Sequence, residues 1–458
     1  MNERKRYQSR SYWKETGGAL LFIVVVLVLP RSAQTQNSAA LTLQEAVQIA
    51  LAQHPDVEKA RAAADLLKGR IREVRAQAFP EVNFGANVIR WRDPSLLNAS
   101  GLDKFPEELR NALVPTSVNL FDYSVRLKQP LYTAGKVGTA LKLASTEAEG
   151  AAIDIDRAKQ DLALEVVKAF LGLLWAEHGR DLAAETQQQR KQHAEMARTR
   201  FRNGVATEVD VLRSEVNVAN GAPELVRAEN SIRQVRALLN FYLVRPTDFA
   251  TRALGKFEEK PWTPADLTKL TERAINNRPE LLRLRINERT AATLHDLARA
   301  ESRMRLDFTT SYGVTSRLPE NLLNTLYTGW TAGVHFTFPI FDGFRRRGLV
   351  EQALASERTA FLERQRSEQQ VRLSVQQGLD ELTAAHETIL SARANIGQAE
   401  RVLLMTQNNY KYGAATTLDI VDAQTALSVA RTNLLRGLFD HSVARAHLLW
   451  VLGEHPWE

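Results

Sequence analysis

Apolar and small residues at Val371, Val375, Gly378, Leu382, Ala385, Ile389, Ala392, Ile396, Ala399 and Leu403 alternate steps of four and three without a slip. That spacing predicts a coiled-coil seam rather than the broader stripe of a globular helix. Every second seam position is Gly or Ala, which lets a neighbouring backbone come close. The seam ends at Tyr410-Lys411-Tyr412-Gly413, whose glycine suits a left-handed cap, and Thr416-Thr417-Leu418-Asp419 reads as the capping box of a returning helix. The same stop and start occurs at Phe201-Arg202-Asn203-Gly204 and Thr207-Glu208-Val209-Asp210. Gly204 and Gly413 stand 209 residues apart, as do Asp210 and Asp419, and Pro130 and Pro339. Three landmarks at one spacing predict a tandem duplication, each half being one unit used twice.

Each half opens with a helix broken before a proline: Leu41 to Ala78 at His54-Pro55, and Leu267 to Ala300 at Arg278-Pro279. The period then changes to two. Val82, Phe84, Ala86 and Val88 oppose Asn83, Gly85 and Asn87. From about Ser117 to Leu131, residues Phe121, Tyr123, Val125 and Leu127 oppose Asp122, Ser124, Arg126 and Lys128. In the second half Leu306, Phe308, Thr310, Tyr312 and Val314 form one parity, and Trp330, Ala332, Val334, Phe336 and Phe338 another. These strands have the roughly ten residues that a tilted strand needs to cross a membrane. An amphipathic sheet on a soluble core alternates in a similar way.

A proline-free helical pattern follows from Lys136 to Asn203, including Ile155, Leu162, Val166, Ala169, Leu173 and Ala176. At about 1.5 Å per residue it reaches roughly 100 Å. Thr207 to Leu243 returns as a shorter helix, with an interruption expected at Gly221-Ala222-Pro223. The expected organisation is a signal peptide at 1–36, a first repeat at 37–250, a connector at 251–266 and a second repeat at 267–458.

Composition changes the picture mainly at the N-terminus. Residues 1–31 carry four of the seven net positive charges, so the remainder has no nucleic-acid signature. These basic residues precede Ala19 to Leu29, an apolar run too short to span a bilayer of roughly 30 Å and suited to a secretory signal. An uncleaved anchor is the alternative, since Arg31-Ser32-Ala33 is a poor cleavage site; cleavage is expected between Ser32 and Ala40. The chain has no Cys, which excludes disulfides, thiol chemistry and a cysteine-linked lipid.

Four membrane-length strands cannot close a barrel, because outer-membrane barrels begin at about eight. An open edge in lipid strands unpaired backbone groups at several kcal/mol each. Copies of the chain must share one barrel. Two copies give eight strands filled with side chains, and three give twelve with room for a lumen.

The paired turns Phe201-x-x-Gly204-x-x-x-x-x-Asp210-Val211 and Tyr410-x-x-Gly413-x-x-x-x-x-Asp419-Ile420-Val421-Asp422, with Leu41-Thr42-Leu43-Gln44-Glu45-Ala46 and Gln129-Pro130-Leu131, carry a resemblance. Over nearly all of the mature sequence the chain resembles the TolC-like outer-membrane efflux protein family. The resemblance implies a mainly α fold with a β-barrel part. It implies a homotrimer with a twelve-stranded barrel in outer-membrane lipid and a coiled-coil helical tunnel crossing the periplasm, closed at its tips until a periplasmic adaptor (membrane fusion protein) and an inner-membrane pump engage. It further implies an entrance ring of Asp419 and Asp422, a gate network including Asp210 and Tyr410, and adaptor-docking tips at Gly204, Val205, Ala206, Gly413, Ala414 and Ala415. Capping is the competing role for Asp210 and Asp419, as turn formation is for the glycines. The family's best-studied member has an arginine two residues after the second turn's glycine; here that place is Ala415, so the same salt-bridge lock is not expected.

Enzymatic chemistry finds little footing. The nine His are scattered without metal-ligand spacing, and Ala134-Gly135-Lys136-Val137 lacks the leading glycine and the Ser/Thr of a phosphate loop. No metal or cofactor is expected, and transport energy must come from a partner. The competing class is a periplasmic coiled-coil adaptor or envelope scaffold, though an adaptor carries one helical hairpin where this chain has two.

Overall fold

The computed structural model describes residues 40–91, 104–109, 117–257, 266–301 and 303–457. The expected signal segment lies outside the described residues. Each repeat begins with two helices: α1 (Leu43–Gln53) and α2 (Pro55–Ala76), then α5 (Leu267–Asn277) and α6 (Pro279–Ala300), both pairs broken at the expected X-Pro step. Strand pairs follow, β2 (Glu81–Trp91) with β3 (Val118–Tyr132), and β5 (Arg305–Ser316) with β6 (Thr328–Thr337). Long helices α3 (Lys136–Arg202) and α7 (Arg345–Lys411) have 67 residues each, and their returns α4 (Glu208–Tyr242) and α8 (Thr417–Val451) have 35 each. Identical lengths in both halves confirm the duplication at the level of elements.

The expected seam is buried: Val371, Val375, Leu382, Ala385, Ile389, Ala392, Ala399 and Leu403 all lie in the interior, and Ile396 is half-buried against Leu403 and its neighbours. The partner is α8 of the same chain, which contributes Ala444, Leu448 and Val451 around Leu382 and Ala423, Leu427 and Ala430 nearer the turn. In the first repeat Leu162, Val166, Ala169, Leu173 and Ala176, the positions 209 residues earlier, pack on Ala46, Val47, Ala50 and Leu239. The two halves form one compact unit from Ala39 to Glu458. Arg283 of α6 helps to join them by donating to Glu147 and Asp154 of α3, both at 3.1 Å.

One expectation fails. Helix α4 is continuous through Gly221-Ala222-Pro223 rather than interrupted. Gly221 is a contact point: a Cβ there would lie 1.9 Å from Gln187 Oε1, and the Gln187 amide donates to the Val218 carbonyl at 3.0 Å. A side chain of α3 thus packs on Gly221 and bonds the α4 backbone just over one turn before the proline, a tertiary hold on a helix that the missing N–H otherwise weakens. The connector also holds structure too short for periodicity to reveal. Strand β4 (Arg252–Ala253) pairs in parallel with β1 (Ala40–Leu41). Buried Asn240 organises this segment, donating to the carbonyls of Thr247 and Phe249 and accepting from Thr251 Oγ1 at 2.5 Å.

The four long strands form one antiparallel sheet in the order β2-β3-β5-β6. Its register aligns Phe84, Val125, Tyr312 and Trp330 in one cross-strand row, and Gly85, Ser124, Gly313 and Gly329 in the next. One face is therefore apolar from edge to edge and the other polar. The apolar face is exposed in the single chain, Trp330 at 74% and Val334 at 57%. Val334→Arg should impair outer-membrane assembly by the roughly 2 to 4 kcal/mol that an Arg costs at the bilayer midplane, whereas Thr331→Arg on the polar face should assemble normally. Comparing heat-modifiable bands from purified outer membranes decides this, and equal assembly of both variants would remove the lipid-facing assignment.

Candidate gate at the helical tips

Both hairpin turns are built the same way. Gly204 and Gly413 take left-handed φ values of 74° and 79°. Val205 N donates to Arg200 O at 2.9 Å and Ala414 N to Asn409 O at 2.8 Å, which close the ends of α3 and α7. The returning helices start with complete capping boxes. Asp210 Oδ2 accepts from Thr207 Oγ1 at 2.7 Å and Thr207 N at 3.0 Å; Asp419 Oδ2 accepts from both Thr416 donors at 2.7 Å.

These bonds hold both carboxylates below their ordinary range. For Asp210 the Thr207 hydroxyl is the largest cause, followed by the Thr207 amide, with smaller help from Thr417 and Arg213. For Asp419 the Thr416 amide leads, then its hydroxyl. A depressed folded-state pKa means that each cap stabilises its turn above the unfolded carboxylate value and loses that contribution as pH falls through the folded one.

The two tips meet through Tyr410 and Thr417, both buried. Tyr410 Oη lies 3.4 Å from Thr417 Oγ1, and Thr417 is close enough to the Asp210 carboxylate to favour its charged form slightly. Two of the expected gate residues, Asp210 and Tyr410, thus flank Thr417, which periodicity did not single out. Arg200 of α3 completes the contact: Nη1 donates to Tyr410 O at 2.7 Å, and the guanidinium carbon sits 4.4 Å from the Tyr410 ring centroid. His193, two helical turns back on α3, is 5% exposed with its ring 5.6 Å from that of Tyr410, and burial pushes its imidazole pKa down. Arg200 thus brings a cation to Tyr410 from the opposite hairpin, where the second turn has Ala415. Farther from the tips, Arg431 of α8 bridges Glu185 of α3 at 2.9 Å and Glu400 of α7 at 3.2 Å.

The remaining expected residues lie outside this contact. Asp419 is committed to its cap and exposed, and Asp422 is exposed one turn further along α8. Gly204, Val205, Gly413 and Ala414 are exposed at the tips, and Ala206 and Ala415 are half-buried. Arg200 escaped the sequence reading because Arg198, Arg200 and Arg202 together look like ordinary complements to a helix C-terminal dipole. Its duplicate position is Asn409, and that asymmetry between otherwise matching turns was the available signal.

Known proteins match this arrangement. The family model "Outer membrane efflux protein" matches residues 46–243 and again 270–454, once per repeat. Alkaline protease secretion protein AprF of Pseudomonas aeruginosa is 24% identical over 391 residues, 83% of this chain and 77% of AprF. Outer membrane protein TolC of Escherichia coli is 21% identical over 456 residues, covering 94% of this chain and 85% of TolC. Among solved structures, the CmeC outer membrane channel of Campylobacter jejuni superposes with a TM-score of 0.77 at 16% identity, over 90% of this chain and 85% of CmeC. The adaptor or scaffold alternative has no such support. With both repeats matched by the family model, the chain belongs to the outer membrane efflux protein family.

Proposed function

We propose that three copies of this chain form a passive trans-periplasmic channel whose closed state is held at the tips by the Arg200, Tyr410, Thr417 and Asp210 contacts. The observation that carries the trimer is the open-edged sheet whose exposed face is apolar across all four strands. Helix α4 adds to it. Val209, Leu212 and Val216 are each more than half exposed, and they follow the three-four steps of an unfilled seam. A second copy's α7 edge, which exposes Leu390, Leu404 and Met405, is the complementary surface.

In this reading the chain is no enzyme. A periplasmic adaptor docks at Gly204, Val205, Ala206, Gly413, Ala414 and Ala415, and an inner-membrane pump supplies the energy and selects the cargo. Asp422, reinforced by Asp419, rings the entrance three times over and draws cations to it, as acidic rings do in cation channels. The test is single-channel conductance in planar bilayers with cobalt hexammine added from the tip side. The parent channel should be blocked, and Asp419→Ala/Asp422→Ala should escape. An unblocked parent, or equal block of the variant, would show that these aspartates are caps and surface charges only.

A further inference from the structure

The β5–β6 loop, residues 317–327, does not fold over the mouth of the sheet. Tyr123 belongs to the apolar parity of β3, and its hydroxyl donates to the Leu322 carbonyl at 2.5 Å. Val314, its partner across the β3–β5 ladder, is only 3% exposed although it lies on the same outward face. The loop therefore leans back along the lipid-facing side of its own sheet, toward β3 and away from the β6 edge where a second copy must pair.

Its shape is fixed by its own bonds. Asn324 Oδ1 accepts from Leu326 N at 3.0 Å, and Thr328 Oγ1 donates to the Thr325 carbonyl at 2.6 Å. Two short 3₁₀ turns, Pro319–Leu323 and Thr325–Tyr327, result. They turn Leu323 and Leu326 outward, exposed at 93% and 87%, beside Leu318 and Tyr327, and no described residue covers them.

Depth identifies the occupant. The apolar parity of β2 continues beyond the Ala86–Tyr123–Val314 row to Val88, which is 74% exposed. Trp330 and Tyr312, the exposed aromatic pair one row below the loop, have the character of an interfacial girdle. The loop thus sits at a level where the neighbouring strand still presents apolar side chains outward. The unpaired backbone of an irregular loop keeps it at the membrane interface rather than in the hydrocarbon, and from there its leucines still reach the acyl boundary.

We propose that the 317–327 loop is a lipid anchor, with Leu323 and Leu326 inserted at the boundary between head groups and acyl chains of the outer leaflet beside the barrel wall. The proposal rests on the barrel lying in the outer membrane and adds an outer-leaflet contact made by the loop itself. Because the chain has no Cys, single-cysteine variants report one position each. Leu323→Cys, Leu326→Cys and, for the barrel wall, Val334→Cys would carry an NBD fluorophore. Each would be reconstituted in phosphatidylcholine/phosphatidylglycerol vesicles containing a lipid doxyl-labelled near the top of its acyl chain. Glu320→Cys, on the polar side of the first turn, is the loop control. Positions 323, 326 and 334 should emit blue-shifted light and lose at least half of it to the quencher, while position 320 should emit as in water. Quenching at 334 with water-like emission at 323 and 326 would overturn the anchor and leave the barrel intact. Water-like emission at all three would overturn both.

Discussion

Leu382→Asp is expected to destabilise the protein by at least about 3 kcal/mol, the combined loss of a buried leucine and the burial of a carboxyl with no partner. Leu382 is 6% exposed and sits among Val375, Ala444 and Leu448, a wholly apolar group. Whether the new carboxyl ionises or takes up a proton, it replaces the leucine inside that apolar cluster. Leu382→Met, which keeps the volume, should cost under about 1.5 kcal/mol. Helix content against urea, followed by circular dichroism in detergent, separates the two. Because the seam closes within one chain, the loss should appear at every protein concentration. An Asp variant that unfolds with the Met variant would mean that α7 and α8 part readily at this level.

The seam itself was legible because one signal decided it: a buried face between two helices must repeat every three or four residues, and that pattern survives whatever the rest of the molecule does. The strands were legible for the same reason at period two, and the four-stranded register keeps Val82, Phe84 and Val88 on the face that their spacing assigned. Gly221 and Pro223 misled because propensity describes an isolated helix, whereas here Gln187 of a neighbouring helix supports the backbone. At the second helix ends the duplication shows how far geometry outlasts residue type. Gly453 and Val244 are 209 residues apart and both take positive φ, 76° and 55°, although only glycine does so without strain. The gate was half legible. Asp210 and Tyr410 were named by resemblance, but the contacts of Tyr410 run to Thr417 and Arg200, and a pairing between residues 210 apart leaves no local pattern.

That pairing sets the second large effect, which falls on the channel rather than on folding. Arg200 is the cation that reaches across from the first hairpin to the last turn of α7, and its hydrogen bond to the Tyr410 carbonyl is charge-assisted. Such a bond contributes about 1.5 to 3 kcal/mol, so removing it should shift the closed-to-open balance by roughly 10- to 100-fold per chain. Arg200→Ala should therefore raise the conductance of the resting channel in planar bilayers. Arg202→Ala, two residues on, is the matched control, because Arg202 is exposed and its polar partners among the described residues are Thr199 and Glu195 on its own helix. Arg200→Lys should fall between, since an ammonium keeps the charge but loses the planar stacking on Tyr410. Tyr410→Phe should open the channel less than Arg200→Ala, because phenylalanine retains both the ring and the carbonyl that Arg200 holds and gives up only the 3.4 Å contact to Thr417. If Arg200→Ala conducts no better than the parent, the tips are held by the Arg431 bridge and helix packing instead. Glu185→Gln/Glu400→Gln would then become the opening variant.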